Sequence, residues 1–312
     1  MPVFGSDLVE AGIVAKRYYI DGKTKTEIAT ELGMSRFRVA RILEKAIAEG
    51  VIRIEITMPP GIDIDLSDRL RANFGLNHAV VVTTPNKLES SVREQLGKAA
   101  ADLLSAIVSP TDVLGISWGR TLDAMITWLS KLAPCPIVQL TGVLGSITDS
   151  PLELVRRAAA ISGGTAFPII APLVVSDAET AASFRKEPRI AAALSLFPKV
   201  TKATVAIGSF RPPNSQLRDA LSKKEQEELT KLGVCAEFCG VFLNDDGKEV
   251  CHELTDRCIA ATFDDLRRIP EVIAVAGGHS KQRAIRAALR AGILTSLVTD
   301  VGVARALLAE RA

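Results

Sequence analysis

The chain has 312 residues, of which 47% are hydrophobic, 24% charged and 4% aromatic, with a formal net charge of +2. That length accommodates two domains and a large core, and the Ala/Val/Leu/Ile-rich composition suits an α/β protein. Near-neutral charge excludes a uniformly basic nucleic-acid binder. No apolar run approaches the ~20 residues of a membrane span, and five cysteines without an apolar leader point to reduced thiols and a cytoplasmic protein.

From the amino end, residues 7 to 20 (DLVEAGIVAKRYYI) carry helical apolar spacing and stop at Asp21-Gly22. Thr24 or Thr26 can cap a second helix that turns Ile28, Ala29 and Leu32 inward, ended by Gly33 as a left-handed residue. Ser35 caps a third helix to about Ala48, with Val39, Ile42, Leu43 and Ile47 expected on its buried side. "VIRIEI", residues 51 to 56, alternates apolar and charged as a half-exposed strand does. This order predicts a winged helix-turn-helix over residues 1 to 56.

Residues 34 to 53 concentrate Arg36, Arg38, Arg41, Lys45 and Arg53 against Glu44 and Glu49. Ser35, Arg36, Phe37, Arg38 and Arg41 fall on the outward, N-terminal part of the third helix, where side chains reach base edges in the major groove. Arginine can offer paired donors to guanine, while the serine and the first amides take phosphate. These five residues are the expected contacts to operator DNA. The competing reading is a three-helix domain whose arginines form a solvated face or dock a protein.

Two prolines and a glycine in "TMPPGIDID" form a short, stiff connector, placed at residues 57 to 63. From 64 to 312 the pattern changes. "HAVVVTT", "DVLGIS", "PIVQLTG", "TAFPII", "ATVAIGS", "VIAVAGG" and "SLVTD" are short apolar runs, separated mostly by amphipathic stretches such as 89 to 108, 120 to 132, 151 to 162 and 281 to 291. Buried strands alternating with helices predict a Rossmann-like, doubly wound parallel sheet, whose ligands bind at the carboxyl ends of the strands.

Two turns at such ends stand out. In "GISWGRTL" a strand stops near Ile116 and a helix starts near Arg120, so Ser117, Trp118 and Gly119 can wrap an anion, helped by the helix dipole, Thr121 and Arg120. An ordinary turn, with Gly119 needed only for its positive φ, fits equally well. "AGGHSKQRAI" sets Gly277, Gly278 and Lys281 at a second strand end. A lysine in a first helical turn opposes the dipole, and a bound phosphate would explain it; an exposed solubilising lysine is the alternative.

Other chemistries have weaker support. A sugar-phosphate isomerase fused to a DNA-binding domain would need a positioned base and acid. The three histidines, His78, His252 and His279, have no partner by local spacing, and Asp245, Asp246 and Asp256 read as solvated loop charges. No catalytic residue and no cofactor are expected. Cys235, Cys239, Cys251, His252 and Cys258 are zinc-type ligands, but their spacing resembles a finger only loosely, so no metal is expected either.

The stretches "KTKTEIATELGMSRFRVARIL", "LGISWGRTL", "VQLTGVLG", "GVCAEFCGVFLNDDGKEV" and "IAVAGGHSKQRAIRAALRAGILTSLVTDVGVARALL" follow one another as in the SorC-type family of bacterial transcriptional regulators, which the chain resembles over almost its whole length. The resemblance implies a sugar-phosphate isomerase-like effector domain behind the DNA-binding one, a homo-oligomer (dimer or tetramer), and a phosphorylated sugar as effector in carbohydrate metabolism. It places the effector phosphate at Gly119, Arg120 and Thr121, beside Ser117 and Trp118, with Lys281 and Gly278 approaching from the second turn. Gly208 and Ser209 match a pocket-lining turn, and Glu237 stands where the family usually has an aspartate that bonds sugar hydroxyls. Thr141, followed by Gly142, occupies the place of a lysine that forms a Schiff base in one branch of the family. Threonine makes no imine, so binding here is expected to be non-covalent.

Overall fold

The computed structural model describes residues 6–54, 60–86, 88–144, 151–250 and 252–309. The chain divides into two compact units, Met1–Met58 and Pro59–Ala312.

In the first unit, α1 (Ser6–Ala15) runs into a five-residue π-helical segment, Lys16–Ile20, before α2 (Lys25–Leu32) and α3 (Arg36–Ala48). Thr24 is the cap of α2: its hydroxyl accepts from the Glu27 amide while the Glu27 carboxylate accepts from the Thr24 amide. Gly33 ends α2 at φ 63°, and the Ser35 hydroxyl accepts from the Arg38 amide to start α3. Val14, Ile28, Ala29, Val39 and Leu43 form the core. Ile47, expected inside, is 45% exposed and Ala46 is buried instead. At about 100° per residue, position 46 returns to within about 20° of Val39, whereas 47 overshoots to about 80°. The expected wing strand is also absent where it can be judged. Val51–Ile54 form bends and coil, and Glu55 and Ile56 lie outside the described residues. A strand needs a ladder partner, and the described part of this unit offers only helices.

The second unit is built on a seven-stranded parallel sheet. Its strands are β1 (His78–Val82), β2 (Leu114–Ile116), β3 (Ile137–Gln139), β4 (Ala166–Phe167), β5 (Lys202–Val205), β10 (Glu271–Val275) and β11 (Ser296–Asp300), in the order β1-β11-β10-β5-β2-β3-β4. Each of the seven apolar runs contributes one strand. Along β10, Val272 and Ala274 enter one apolar cluster, while Ile273 and Val275 enter another on the opposite face. Burial on both faces is why these strands read as unbroken apolar runs. A smaller antiparallel sheet, β6 (Gly208–Ser209), β7 (Ala236–Phe238), β8 (Val241–Leu243) and β9 (Glu249–Val250), follows β5 in the chain and was not foreseen from sequence.

Strand order reverses between β2 and β5. From β2 the chain proceeds to β3 and β4 on one side, and from β5 to β10 and β11 on the other. Such a switch point opens a crevice at the carboxyl ends of the strands. Among the described residues, no helix is long and apolar enough to cross a membrane.

Candidate functional site

A cavity of about 700 Å³, its open mouth included, sits at that switch point. The turn after β2 forms one wall. The Ser117 amide donates to the Thr204 carbonyl at 2.9 Å, which ties the turn to β5, and Ser117 itself is buried. Gly119 adopts φ 144°, and a Cβ there would stand 2.8 Å from the Ala206 Cβ. α6 (Arg120–Trp128) then starts with no side chain capping it. Its first amides have no partner within the helix, and Gly119, Arg120 and Thr121 at this end line the cavity. Trp118 is half-buried, lining the cavity and packing on the apolar cluster around Phe210 and Leu217.

The turn after β10 forms the facing wall, with a different economy of hydrogen bonds. Gly277 has no room for a side chain, because a Cβ would stand 2.5 Å from the Asp300 carboxylate. Gly278, at φ 93°, lines the cavity, but its amide donates to Asp300 at 2.5 Å. The Gly-Gly pair therefore does not present that amide to a ligand. Lys281 is no exposed solubilising residue. Its ammonium donates to the Ile207 carbonyl at 2.6 Å inside the cavity wall. Burial lowers its pKa to about 8, against the pull of Glu237 and with the push of Arg120 and Arg93.

Glu237 lies opposite, on β7. Its buried carboxyl accepts from the Ser215 hydroxyl at 2.8 Å and occupies the space a Cβ on Gly208 would need, which explains that glycine. Burial raises its pKa to about 7, although the Ser215 hydrogen bond and Lys281 oppose the rise. The cavity thus gathers Arg93, Arg120 and Lys281 against Glu89 and Glu237, whose charge burial disfavours. The balance is positive.

Four residues expected here do not line the cavity: Ser117, buried in the turn after β2, and Thr141, Gly142 and Ser209. Thr141 is fully buried and bridged to Ala260, and the Gly142 amide donates to the Ile259 carbonyl at 2.7 Å. A Cβ on Gly142 would stand 2.7 Å from the carbonyl oxygens of Ala171 and Pro172, so the segment is packed backbone rather than cavity lining. Ser209 is buried in the β6–β7 pairing, one residue behind the lining Gly208. Sequence reading missed Glu89 and Arg93 on α5 (Glu89–Ile107), together with Asn214, Ser215 and Cys239. Arg93 offered a faint signal, a basic residue beside the apolar stripe of a helix start. Burial and the neighbouring Arg120 both lower its pKa.

Of the zinc-type residues, Cys251 and the His252 side chain lie outside what the structure describes. Cys235, Cys239 and Cys258 are buried, and burial pushes the first two thiols up to about 12, unlike thiolate ligands. Among the described residues no group of three or more His, Cys, Asp or Glu is placed to hold a metal.

On the first unit, Ser35, Arg36, Phe37, Arg38 and Arg41 are all exposed along the start of α3. Phe37 is 69% exposed, with the Arg36 guanidinium 5.0 Å from its ring centre. Arg38 makes a forked pair with Glu10 of α1 at 3.0 and 3.2 Å.

Residues 59–309 match the family described as "Putative sugar-binding domain". Over 316 residues the chain is 32% identical to the transcriptional regulator LsrR of Enterobacter sp. (strain 638), covering 98% of this chain and 95% of that protein. It is 28% identical over 302 residues to the erythritol catabolism regulatory protein EryD of Brucella abortus, covering 94% of each. The full-length sorbitol operon regulator SorC of Klebsiella pneumoniae superposes with a TM-score of 0.75 at 23% identity, over 97% of this chain and 99% of that one. These relatives are named as regulators, which does not favour the isomerase alternative. The chain belongs to the SorC-type family of sugar-binding transcriptional regulators.

Proposed function

We propose that this regulator senses a phosphorylated sugar or polyol, bound without a covalent bond in the cavity at the switch point. One observation carries the reading: the uncapped first turn of α6 and the inward-turned Lys281 line one cavity. Helix amides and a desolvated ammonium together select an anion. Glu237 supplies an acceptor for hydroxyls. No lysine stands at Thr141, which supports reversible binding. The name of EryD ties that protein to erythritol and that of SorC to sorbitol, so polyol phosphates belong among the candidates beside aldose phosphates.

Ser35, Arg36, Phe37, Arg38 and Arg41 carry operator recognition from the N-terminal domain, and of the connector expected at 57 to 63, Gly61 and Asp63 already hydrogen-bond along β1 as part of the effector domain. Ser35 already accepts one amide hydrogen, and its hydroxyl proton remains for a phosphate. The regulator acts in the cytoplasm as a homodimer or homotetramer, in which paired reading heads multiply affinity. Effector binding shifts operator affinity to the extent that it prefers one arrangement of subunits.

The test is a thermal-shift screen of ribose 5-phosphate, glucosamine 6-phosphate and erythritol phosphate against their unphosphorylated counterparts. It is followed by titration of the hit into complexes with operator DNA selected from a random pool. Stabilisation by the phosphorylated forms only, with a change in operator affinity, is the expected result. Equal shifts from the free sugars, or a product trapped by borohydride, would overturn the reading. Replacing Arg36 and Arg38 by Ala should abolish operator binding while leaving the melting temperature in place.

A further inference from the structure

Arg120 and Glu89 both line the cavity and both are exposed, yet they do not touch. Between them stands Asn214. Its side-chain oxygen accepts from the Arg120 guanidinium at 3.0 Å, and its amide nitrogen donates to Glu89 at 3.1 Å and to the Ser280 hydroxyl at 2.9 Å. The backbone of Asn214 is held by two hydrogen bonds with Ser209, at 2.8 and 3.0 Å. One side chain therefore joins the starts of α5 and α6 and the turn after β10.

We infer that Asn214 is a positioning residue that keeps Arg120 and Glu89 from pairing with each other, so that the guanidinium stays free to attract an anion. The inference rests on the reading of the cavity as an anion site. A side-chain amide offers an acceptor and a donor at once while carrying no charge. It can satisfy the arginine on one end and the glutamate on the other without cancelling either. A direct salt bridge would cancel most of the field that an incoming phosphate feels. Arg120 repels both Arg93 and Lys281, and Glu89 is the exposed carboxylate on the cavity lining that already attracts those two cations, so it is placed to draw in Arg120 as well. Removing the amide lets two long, mobile side chains meet.

The test uses the full chain and inorganic phosphate as probe, by calorimetric titration at pH 7 and low salt. N214A should weaken phosphate binding about tenfold, and E89Q in the same chain should restore it to within about threefold of the unmodified protein. N214D, which keeps the shape but sets a carboxylate against Arg120, should weaken binding at least as much, and E89Q should not restore it. This second variant also serves if N214A fails to fold. Unchanged binding in N214A and N214D, or a loss in N214A that E89Q leaves in place, overturns the spacer role. Absence of phosphate binding by the unmodified chain overturns the anion-site reading itself, and the spacer role with it.

Discussion

The turn after β2 and the turn after β10 both set small residues between a buried strand and a helix, yet they offer the cavity opposite kinds of donor. The first leaves α6 without a side-chain cap, and Gly119, Arg120 and Thr121 at its start line the cavity. The second commits the Gly278 amide to Asp300, whose other oxygen accepts from the amides of Gly302 and Val303. What remains on that side is the Lys281 ammonium. The lesson is that a glycine pair at a strand end says the backbone passes close to something, not what that something is. Here it is a carboxylate of the chain itself, 22 residues further on.

The comparison can be broken or sharpened by measurement, using whichever phosphorylated ligand the screen returns. K281M should have the largest effect, because it removes the charged donor from a desolvated site: about 100-fold weaker binding, or about 2.7 kcal/mol. Isothermal titration would read it, and a loss below about fivefold would mean the helix turn alone holds the anion. G119A strains the other wall, since alanine at φ 144° also meets Ala206. It should weaken binding about tenfold and lower the melting temperature by several degrees. Between pH 7 and 9 affinity should fall by up to about tenfold. Lys281 loses its proton near pH 8, below its ordinary value, whereas amides do not titrate, so K281M should remove most of the slope and leave the smaller part that Glu237 contributes as it ionises. D300N should have the least effect on affinity, under about threefold. It loosens the Gly278 and helix-cap hydrogen bonds, and should lower the melting temperature by about 2–4 °C. A large affinity loss in D300N would show that the β10 turn contributes backbone donors after all.

Sequence reading reached the fold through periodicity. The seven strands and the four long amphipathic stretches announce themselves because each is a local pattern, and Thr24, Gly33 and Ser35 play the cap roles their residue types suit. Over its described residues, 51 to 54, the expected wing strand is not formed: "VIRI" alternates like a strand, but alternation does not supply a partner strand. Within the cavity, Gly119, Arg120, Thr121 and Lys281 were legible because strand-end chemistry is local. Asn214 and Glu89 were not, since their meeting spans 125 residues and neither belongs to a recognisable turn. Thr141 and Gly142 show the converse error. They follow a strand end on schedule, but that end is roofed by the Ala171–Pro172 backbone.

The start of the sugar-binding unit is sewn along the outer margin of β1. The Asp63 amide donates to the Val81 carbonyl at 2.8 Å, and the Thr83 amide to the Gly61 carbonyl at 2.8 Å, with Ile62 bridged to Val82. β1 in turn is laddered to β11 up to the pair Val82–Asp300. Tension applied to the chain at Gly61 is consequently borne in shear by backbone hydrogen bonds rather than absorbed by a slack loop. The first strand to feel that load is joined directly to the one whose last residue grips Gly278.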